Sequence, residues 1–205
     1  MNQINHNLKI YSEDFTDSIK ASVREEITET RFAHVVRVAE IAKEMGRIYA
    51  PSYVSHLYLA GLLHDITKQK KDEIHLELFS EFSFSADGIP KEAYHAFSAP
   101  FYVRKYLNIE DQVILSGMAS HTLGGKDMTP FQKILYAADF LGSEYAKKSS
   151  EWAEWFQRTK LNLNFGVLLK AKKTIESLLE KNASIHIFTI DTYNESTRLL
   201  QQDNK

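Results

Sequence analysis

Residues that interrupt helices are scarce in this chain, which has four prolines and eight glycines among 205 residues. Because many-turned β architectures use these two residues at their turns, their scarcity favours helices. Apolar residues also recur at helical spacing, as in Phe15, Ile19, Val23 and Ile27. Spacing and cap signals predict helices over residues 31–48, 53–64, 110–121, 129–139 and beyond, 164–181 and 191–201, with a further start at Ser98 and Pro100. Residues 184–189 have the pattern of an extended segment, so the sequence predicts an otherwise all-α fold.

The composition fits one folded domain. Hydrophobic residues make up 43% of the chain, which is enough to bury a sizeable core. A length of 205 residues falls close to the usual range of roughly 100–200 residues per domain. The sequence contains no internal repeat, low-complexity segment or linker. We therefore predict a single helical domain over residues 1–205.

The charged and sulfur-containing residues exclude several classes of function. Lys and Arg number 25 against 27 Asp and Glu, a balance that argues against nonspecific binding to nucleic acid or anionic membranes. Cysteine is absent, so the chain has no disulfides, no thiolate metal sites and no cysteine nucleophile. The apolar stretches are much shorter than the ~18 residues that suggest a membrane span, and residues 1–14 lack the apolar core of a signal peptide. We expect a cytoplasmic protein that binds neither membranes nor nucleic acid.

Six histidines and aspartates lie in or beside apolar helical sequence. They are His34, His64, Asp65, His95, His121 and Asp139. One histidine in such a setting is more often a hydrogen-bonded core residue than a ligand. Asp65 and Asp139, however, are costly to bury unless each is paired or bound to a cation. The whole set therefore favours a metal site over six unrelated core residues.

The donor types narrow the choice of metal. Imidazole and carboxylate suit Fe, Mn, Zn, Co or Ni, and the lack of thiolate disfavours a structural zinc site. If His64 and Asp65 end a helix, its negative terminus also favours a cation there. Lys68 follows Asp65 by about one turn, where its ammonium group can reach a metal-bound phosphate. These residues predict a metal-dependent site for a phosphorylated ligand.

The motifs around these residues resemble those of a known superfamily. Arg31-Phe-Ala-His34 followed by Gly61-Leu-Leu-His-Asp-Ile-Thr-Lys68 resembles the HD superfamily of metal-dependent phosphohydrolases. Ser120-His-Thr-Leu-Gly124 and Lys133-Ile-Leu-Tyr-Ala-Ala-Asp139 are similar to its symmetrical diadenosine tetraphosphate hydrolases, as is Thr189-Ile-Asp-Thr-Tyr-Asn194. The resemblance covers residues 31–194 and implies one HD-domain helical bundle, on which a helix within residues 1–30 packs.

This resemblance implies a reaction and a cofactor. Members of the family use iron or a related divalent ion, Mn, Co, Ni or Zn, with one or two ions in the site. They cut diadenosine tetraphosphate in the middle and release two ADP. A dinucleoside polyphosphate is accordingly the expected substrate, and ADP or a GDP-like nucleotide the expected product. We also expect a homodimer.

The resemblance further assigns a role to each residue. His34, His64, Asp65 and Asp139 match the ligands of the principal metal. His95 and His121 match positions that hold a second metal or contact phosphate. Asp65 is expected to orient the attacking water or to bridge two metals, while Lys68, His95 and His121 neutralise charge on the phosphate. The residues expected to touch the nucleotide are Lys68, His95, His121, Ser184, Ile185, His186, Ile187, Phe188 and Thr189.

Two positions depart from the family pattern. Ala96 follows His95 where the family has glycine, and Tyr145 stands where it has an arginine expected to hold phosphate. Guanidinium offers two parallel charge-assisted hydrogen bonds, whereas tyrosine offers one neutral donor. Tyr145→Arg is therefore expected to improve hydrolysis if residue 145 faces the site. If Gly142 redirects the loop instead, we expect Tyr145 to pack against Trp152 or Trp155.

Two other functions are compatible with the sequence. The chain can be another HD phosphohydrolase, acting on a nucleoside monophosphate or a guanosine polyphosphate. It can also be a nucleotide-binding regulatory module with weak catalysis, an alternative that the departures at Ala96 and Tyr145 keep open.

Overall fold

Helices account for all the regular secondary structure among residues 10–203, the part of the chain that the computed structural model describes. Two short 3₁₀ turns, Pro51–Tyr53 and Lys91–Ala93, accompany the α-helices. The helices are α1 (Glu13–Glu26), α2 (Glu29–Tyr49), α3 (Val54–Leu63), α4 (Asp72–Glu81), α5 (Tyr94–Leu107), α6 (Gln112–Ser120), α7 (Pro130–Leu141), α8 (Glu144–Lys147), α9 (Trp152–Leu161), α10 (Leu163–Glu180) and α11 (Ile187–Asp203). The all-α prediction is confirmed.

Side-chain caps explain where several helices begin. The Ser12 and Thr28 hydroxyls accept hydrogen bonds from the backbone amides of the first turns of α1 and α2. Thr129 and Gln132 form a reciprocal capping box at the start of α7, and Pro130 occupies its first position. The Thr129-Pro130 signal therefore begins a helix as predicted.

The core forms where α2 packs against α3 and α7, and where α10 packs against α7 and α11. The largest cluster of buried apolar side chains extends from Tyr11 to Leu169, so α1 shares it. Gly61 lets α3 approach α2 closely, because a Cβ atom at this position would lie 2.5 Å from the Cα atom of Ala39. This approach brings the parts of α2 and α3 that carry His34 and His64 together.

Helix α5 begins earlier than the sequence signals predict. It starts at Tyr94, directly after the 3₁₀ turn, and Pro100 lies inside it. Ser98 is buried and caps nothing; its hydroxyl lies 2.8 Å from Thr67 Oγ1 and 2.7 Å from His75 Nδ1. Because proline has no amide hydrogen, α5 lacks the backbone hydrogen bond from residue 100 to the Ala96 carbonyl.

The prediction of an extended segment over residues 184–189 is wrong for its second half. Ser184, Ile185 and His186 are irregular, but Ile187, Phe188 and Thr189 form the first turn of α11. The His186 ring provides the local reason, since its Nδ1 atom accepts a hydrogen bond from the Phe188 amide at 3.2 Å and satisfies a free donor of that turn. Helix α4 lies in residues 66–90, where the spacing and cap signals predict no helix.

None of the helices over residues 10–203 is long and apolar enough to cross a bilayer.

Candidate metal centre and its cavity

The fold brings the six predicted histidines and aspartates to one place from five helices. His34 comes from α2, His64 and Asp65 from the end of α3, His95 from α5, His121 from the end of α6 and Asp139 from α7. Ligand atoms of His34, His64 and Asp65 lie within 4.8 Å of one another, as do those of Asp65, His95 and His121. We call these the first and the second group. Asp65 belongs to both.

The first group, together with Asp139, has the spacing of ligands around one ion. His34 Nε2 lies 3.1 Å from Asp139 Oδ1 and 3.5 Å from Asp65 Oδ2. His64 Nε2 lies 3.4 Å and 3.6 Å from the same two oxygens. Ligands that each lie about 2.1 Å from an ion at right angles to one another are roughly 3 Å apart. The observed distances of 3.1–3.6 Å are therefore close to those expected of four ligands of one ion.

The second group faces the other oxygen of the same carboxylate. Asp65 Oδ1 lies 3.3 Å from His95 Nε2 and 3.6 Å from His121 Nε2. The two imidazole Nε2 atoms are 3.2 Å apart. Because the two oxygens of Asp65 face different groups, this carboxylate has the geometry of a bridge between two ions.

Backbone carbonyls orient three of the imidazoles. The Nδ1 atoms of His34, His64 and His121 donate to the carbonyls of Gly142 at 3.2 Å, Gly61 at 2.8 Å and Met118 at 2.6 Å. These partners assign the proton to Nδ1 and leave the Nε2 lone pair facing the carboxylates. Such a carbonyl partner is what metal-binding histidines usually have.

One buried nitrogen supports a metal directly. His64 Nε2 is inaccessible to solvent and has no hydrogen-bond partner of proper geometry among the described residues. An unsatisfied buried nitrogen is costly, and a bound ion would satisfy it. The donor set, its spacing and this nitrogen fit a divalent metal ion.

The electrostatics favour ionised carboxylates at Asp65 and Asp139 and neutral imidazoles at His95 and His121. Burial opposes ionisation of Asp65 and Asp139, but the surrounding histidines, and Lys170 beside Asp139, hold the pKa of each carboxyl well below its usual value. Burial lowers the pKa of His95 and of His121. Burial also acts on His64, but Asp65 and Asp139 outweigh it and raise the pKa. Without an ion, the two carboxylates therefore favour the protonated form of His64.

A cavity of about 480 Å³ opens onto these groups, and we call it the inner cavity. Five of the six predicted ligands line it, while His64 lies fully buried beneath. The predicted Lys68 lines it too, and its Nζ atom lies 3.2 Å from His95 Nδ1. Burial lowers the pKa of Lys68. The inner cavity thus places a cation beside the second group.

The cavity contains two further cations that the sequence motifs do not predict. Arg31 Nη1 donates to Asp65 Oδ2 at 2.8 Å. The lysine-rich stretch around Lys170 is typical of a solvated helix face, but Lys170 is buried, and its Nζ atom donates to Asp139 Oδ2 at 2.6 Å and to the His121 carbonyl at 2.5 Å. A signal for this burial is present, because Lys170 falls three residues after the buried Val167 on the inner stripe of α10.

The predicted nucleotide segment lies elsewhere. None of Ser184, Ile185, His186, Ile187, Phe188 and Thr189 lines the inner cavity. Thr189 Oγ1 donates instead to the Leu123 carbonyl at 3.2 Å, and Thr192 Oγ1 accepts from the Gly125 amide at 2.8 Å. These threonines hold the loop that follows His121. A nucleotide contact by residues 184–189 stays a prediction.

The two departures from the family pattern also have defined places. Ala96 is fully buried in α5. Tyr145 does not line the inner cavity, and its ring lies 6.2 Å from that of Phe140. Trp152 stacks on Phe156 instead of on Tyr145.

Comparison with known proteins agrees with this geometry. The family model of the HD domain matches residues 31–142, which is more than half of the chain. The chain belongs to the HD domain family. The matched range contains all six predicted ligands, from His34 to Asp139, and therefore spans both the first and the second group.

Relatives of this HD chain match along most of its length. It is 29% identical over 179 residues to the symmetrical bis(5'-nucleosyl)-tetraphosphatase of Halalkalibacterium halodurans, covering 84% of this chain and 92% of that protein. It is 28% identical over 178 residues to the protein of the same name from Bacillus subtilis, covering 85% and 93%. The crystal structure of a predicted HD superfamily hydrolase from Clostridium acetobutylicum has a TM-score of 0.81 at 22% identity, covering 93% of this chain and 99% of that one. The last likeness establishes the shared fold.

Proposed function

We propose that this chain is a metal-dependent hydrolase that cleaves diadenosine tetraphosphate symmetrically into two ADP. The observation that carries the proposal is the convergence of six histidines and aspartates at a cavity lined by Arg31, Lys68 and Lys170. Anionic ligands favour a cavity that combines metal-binding groups with cations. The names of the relatives add the substrate and the symmetrical outcome.

The proposed principal ion is iron, held by His34, His64, Asp65 and Asp139. His95 and His121 would hold a second ion with Asp65, or contact phosphate. A bound divalent ion lowers the pKa of water and supplies a nucleophile at neutral pH. Elemental analysis of protein purified without chelators tests the identity and the number of the ions.

The side chains around the proposed ion orient the water and bind the phosphates. Asp65, whose carboxylate stays ionised, orients the attacking water toward a central phosphorus. The ammonium group of Lys68 neutralises charge that develops on the phosphate oxygens. His95 and His121, whose Nε2 atoms face Asp65 Oδ1, would share this role through the second ion that they would hold or through direct contact with phosphate. Attack by water forms one P–O bond and breaks the central P–O–P linkage, so the second ADP leaves with the bridging oxygen. Arg31 keeps Asp65 in place through its ion pair.

Product analysis tests this proposal. Metal-loaded protein is incubated with diadenosine tetraphosphate, and the products are separated by ion-exchange chromatography. We expect ADP as the main product, with ATP and AMP together as minor species. A dominant ATP-plus-AMP pattern would contradict symmetrical cleavage, and no turnover would favour the nucleotide-binding module. A panel of nucleoside monophosphates and guanosine polyphosphates tests the other HD activities.

A cytoplasmic location, a homodimer and the lack of nucleic-acid binding are part of the same proposal. Cell fractionation, light scattering and a titration with DNA test them separately.

A further inference from the structure

A second cavity of about 640 Å³, which we call the outer cavity, lies beyond the six predicted ligands, none of which lines it. Its walls come from the 3₁₀ turn before α5, the end of α7, α8 and the second half of α10. Ligand pockets of roughly 300–1,000 Å³ enclose molecules of drug size, so this volume is sufficient for a nucleoside.

The outer cavity continues the inner one. Thr174 lines both. Asp139 and Glu144 line the inner cavity, and the residues that follow them, Phe140 and Tyr145, line the outer one. The two cavities therefore lie side by side, and we call them the inner and the outer part of the cleft.

Two further features support this continuity. The Lys68 ammonium of the inner cavity donates at 3.3 Å to the carbonyl of Glu92, which lines the outer cavity. Helix α10 and its C-cap form a common wall of the two cavities. Residues at intervals of three and four share one face of a helix. On this face lie Lys170, Thr174, Ser177 and the C-cap residue Lys181. At about 1.5 Å per residue, this face extends roughly 16 Å from Lys170 outward.

The two parts of the cleft differ in chemistry. In the inner part Arg31 and Lys170 are paired with Asp65 and Asp139, so the ammonium group of Lys68 and the divalent ion of the proposed function would attract phosphate there. The outer part has three glutamates against two lysines, and one of these lysines, Lys173, is paired with Glu176 at 3.0 Å. Phosphate is thus disfavoured there, whereas hydroxyl and amino groups would find acceptors.

The outer part also has an aromatic surface. Tyr145 lies beside Phe140, with 6.2 Å between the ring centroids, and 64% of Tyr145 is exposed to solvent. An exposed ring at the side of a cleft can stack on any nucleobase, since every base has a π-face. An arginine at this position would offer a cation instead.

We propose that the outer cavity binds one of the two purine nucleosides of the substrate, with the base stacked on Tyr145 and the phosphates extending past Thr174 into the inner cavity. This subsite rests on the proposed function, because it takes the nucleoside of a dinucleoside polyphosphate. It makes Tyr145 a determinant of nucleoside affinity instead of a replaced phosphate ligand.

Equilibrium binding tests the subsite without turnover. ADP and pyrophosphate are titrated by calorimetry into metal-loaded wild-type protein, Tyr145→Ala and Tyr145→Phe, with Tyr106→Ala as the control. Tyr106 is an aromatic residue of similar exposure, 54%, that lines neither cavity. We expect Tyr145→Ala to weaken ADP binding about tenfold, in keeping with the loss of one base–aromatic stack. The ADP affinity of Tyr145→Phe should stay within about twofold of wild type, because the ring is kept. The ADP affinity of Tyr106→Ala should equal that of wild type.

Pyrophosphate separates the two parts of the cleft. Its affinity should be the same in all four proteins, because it needs the inner cavity alone. Equal ADP affinity in wild type and Tyr145→Ala would overturn the subsite. An equal loss of pyrophosphate and ADP affinity in Tyr145→Ala would overturn it too, as would a lack of ADP binding by wild type. If the product analysis fails while the difference between ADP and pyrophosphate persists, the symmetrical hydrolysis is wrong and the nucleoside site stands.

Discussion

The ammonium group of Lys170 determines how Asp139 can act. Two of its donors bind Asp139 Oδ2 and the His121 carbonyl, and its Nζ atom lies 4.3 Å from the ring centroid of Tyr136. Its hydrogen-bonding capacity is therefore used within the protein, which makes Lys170 a positioning residue and leaves Lys68 to meet the substrate. With Oδ2 occupied, Asp139 presents Oδ1 to His34 and His64.

Removing this charge should destabilise the metal-free protein. Lys170→Met leaves the Asp139 carboxylate, whose side chain is 22% exposed, without its cation. Breaking a buried pair costs about 3–5 kcal/mol, and this partial exposure favours the lower end of that range. Urea unfolding at pH 7 measures the difference in the free energy of unfolding. The matched control is Lys172→Met on the same helix, where the side chain is 59% exposed and the change should stay within about 0.5 kcal/mol. Equal losses in the two variants would contradict the role of Lys170.

At the scale of helices and loops, α11 contacts the loop that follows His121, although the two are distant in sequence. His121 follows α6 directly, and the loop after it is fastened by the hydroxyls of Thr189 and Thr192. Gly124 makes this contact possible, because its φ of +74° suits glycine and a Cβ atom would collide with the Thr192 hydroxyl. The threonines at the start of α11 thus position the loop that follows His121.

Gly124→Ala tests this arrangement against a control with the same backbone strain. Gly88 has a φ of +76°, and no atom lies within 4 Å of the position that a Cβ atom would take there, so Gly88→Ala adds strain alone, about 1–2 kcal/mol. Gly124→Ala adds the collision with Thr192 and should lose clearly more free energy of unfolding. It should also lower the affinity for a second equivalent of Mn²⁺, measured by calorimetry. Identical behaviour of the two variants would show that α11 does not hold the loop.

The same elements show how far the sequence predicts this molecule. Local signals succeed at α7, which Thr129 and Pro130 begin. The six residues predicted as ligands also lie close together, although their binding of metal stays a prediction. Ser98 fails as a cap because its hydroxyl partners, Thr67 and His75, are distant in sequence. The spacing of Lys170 from Val167 signals its burial, but its partner Asp139 depends on how α10 packs against α7. The place of Tyr145 depends on how α8 packs against α7, which no local pattern contains. Tertiary contacts, in each case, overrule a local preference.

At the scale of the whole molecule, the candidate metal centre brings together carboxylates from two helices, whose negative charges repel each other unless cations balance them. Asp65 is buried and Asp139 half-buried among four histidines. In the metal-free protein Arg31 and Lys170 pair with these carboxylates, which also raise the pKa of His64. A divalent ion would supply this charge itself and satisfy His64 Nε2. Because an ion would bind the assembled set of ligands in preference to the unfolded chain, metal binding should stabilise the fold.

Thermal unfolding with and without metal measures this coupling. Free Mn²⁺ at about 100 times its dissociation constant stabilises a folded protein by about 2.7 kcal/mol, which raises the Tm of a domain of this size by roughly 5–10 °C. His64→Ala and Asp65→Ala remove ligands, so both should lose bound metal in elemental analysis and most of the shift in Tm, while keeping the helical circular dichroism signal. His186→Ala, which changes a histidine outside both cavities, should keep the metal and the shift. A full shift in His64→Ala would mean that the ion binds somewhere other than the first group, and the assignment of the ligands would have to be abandoned.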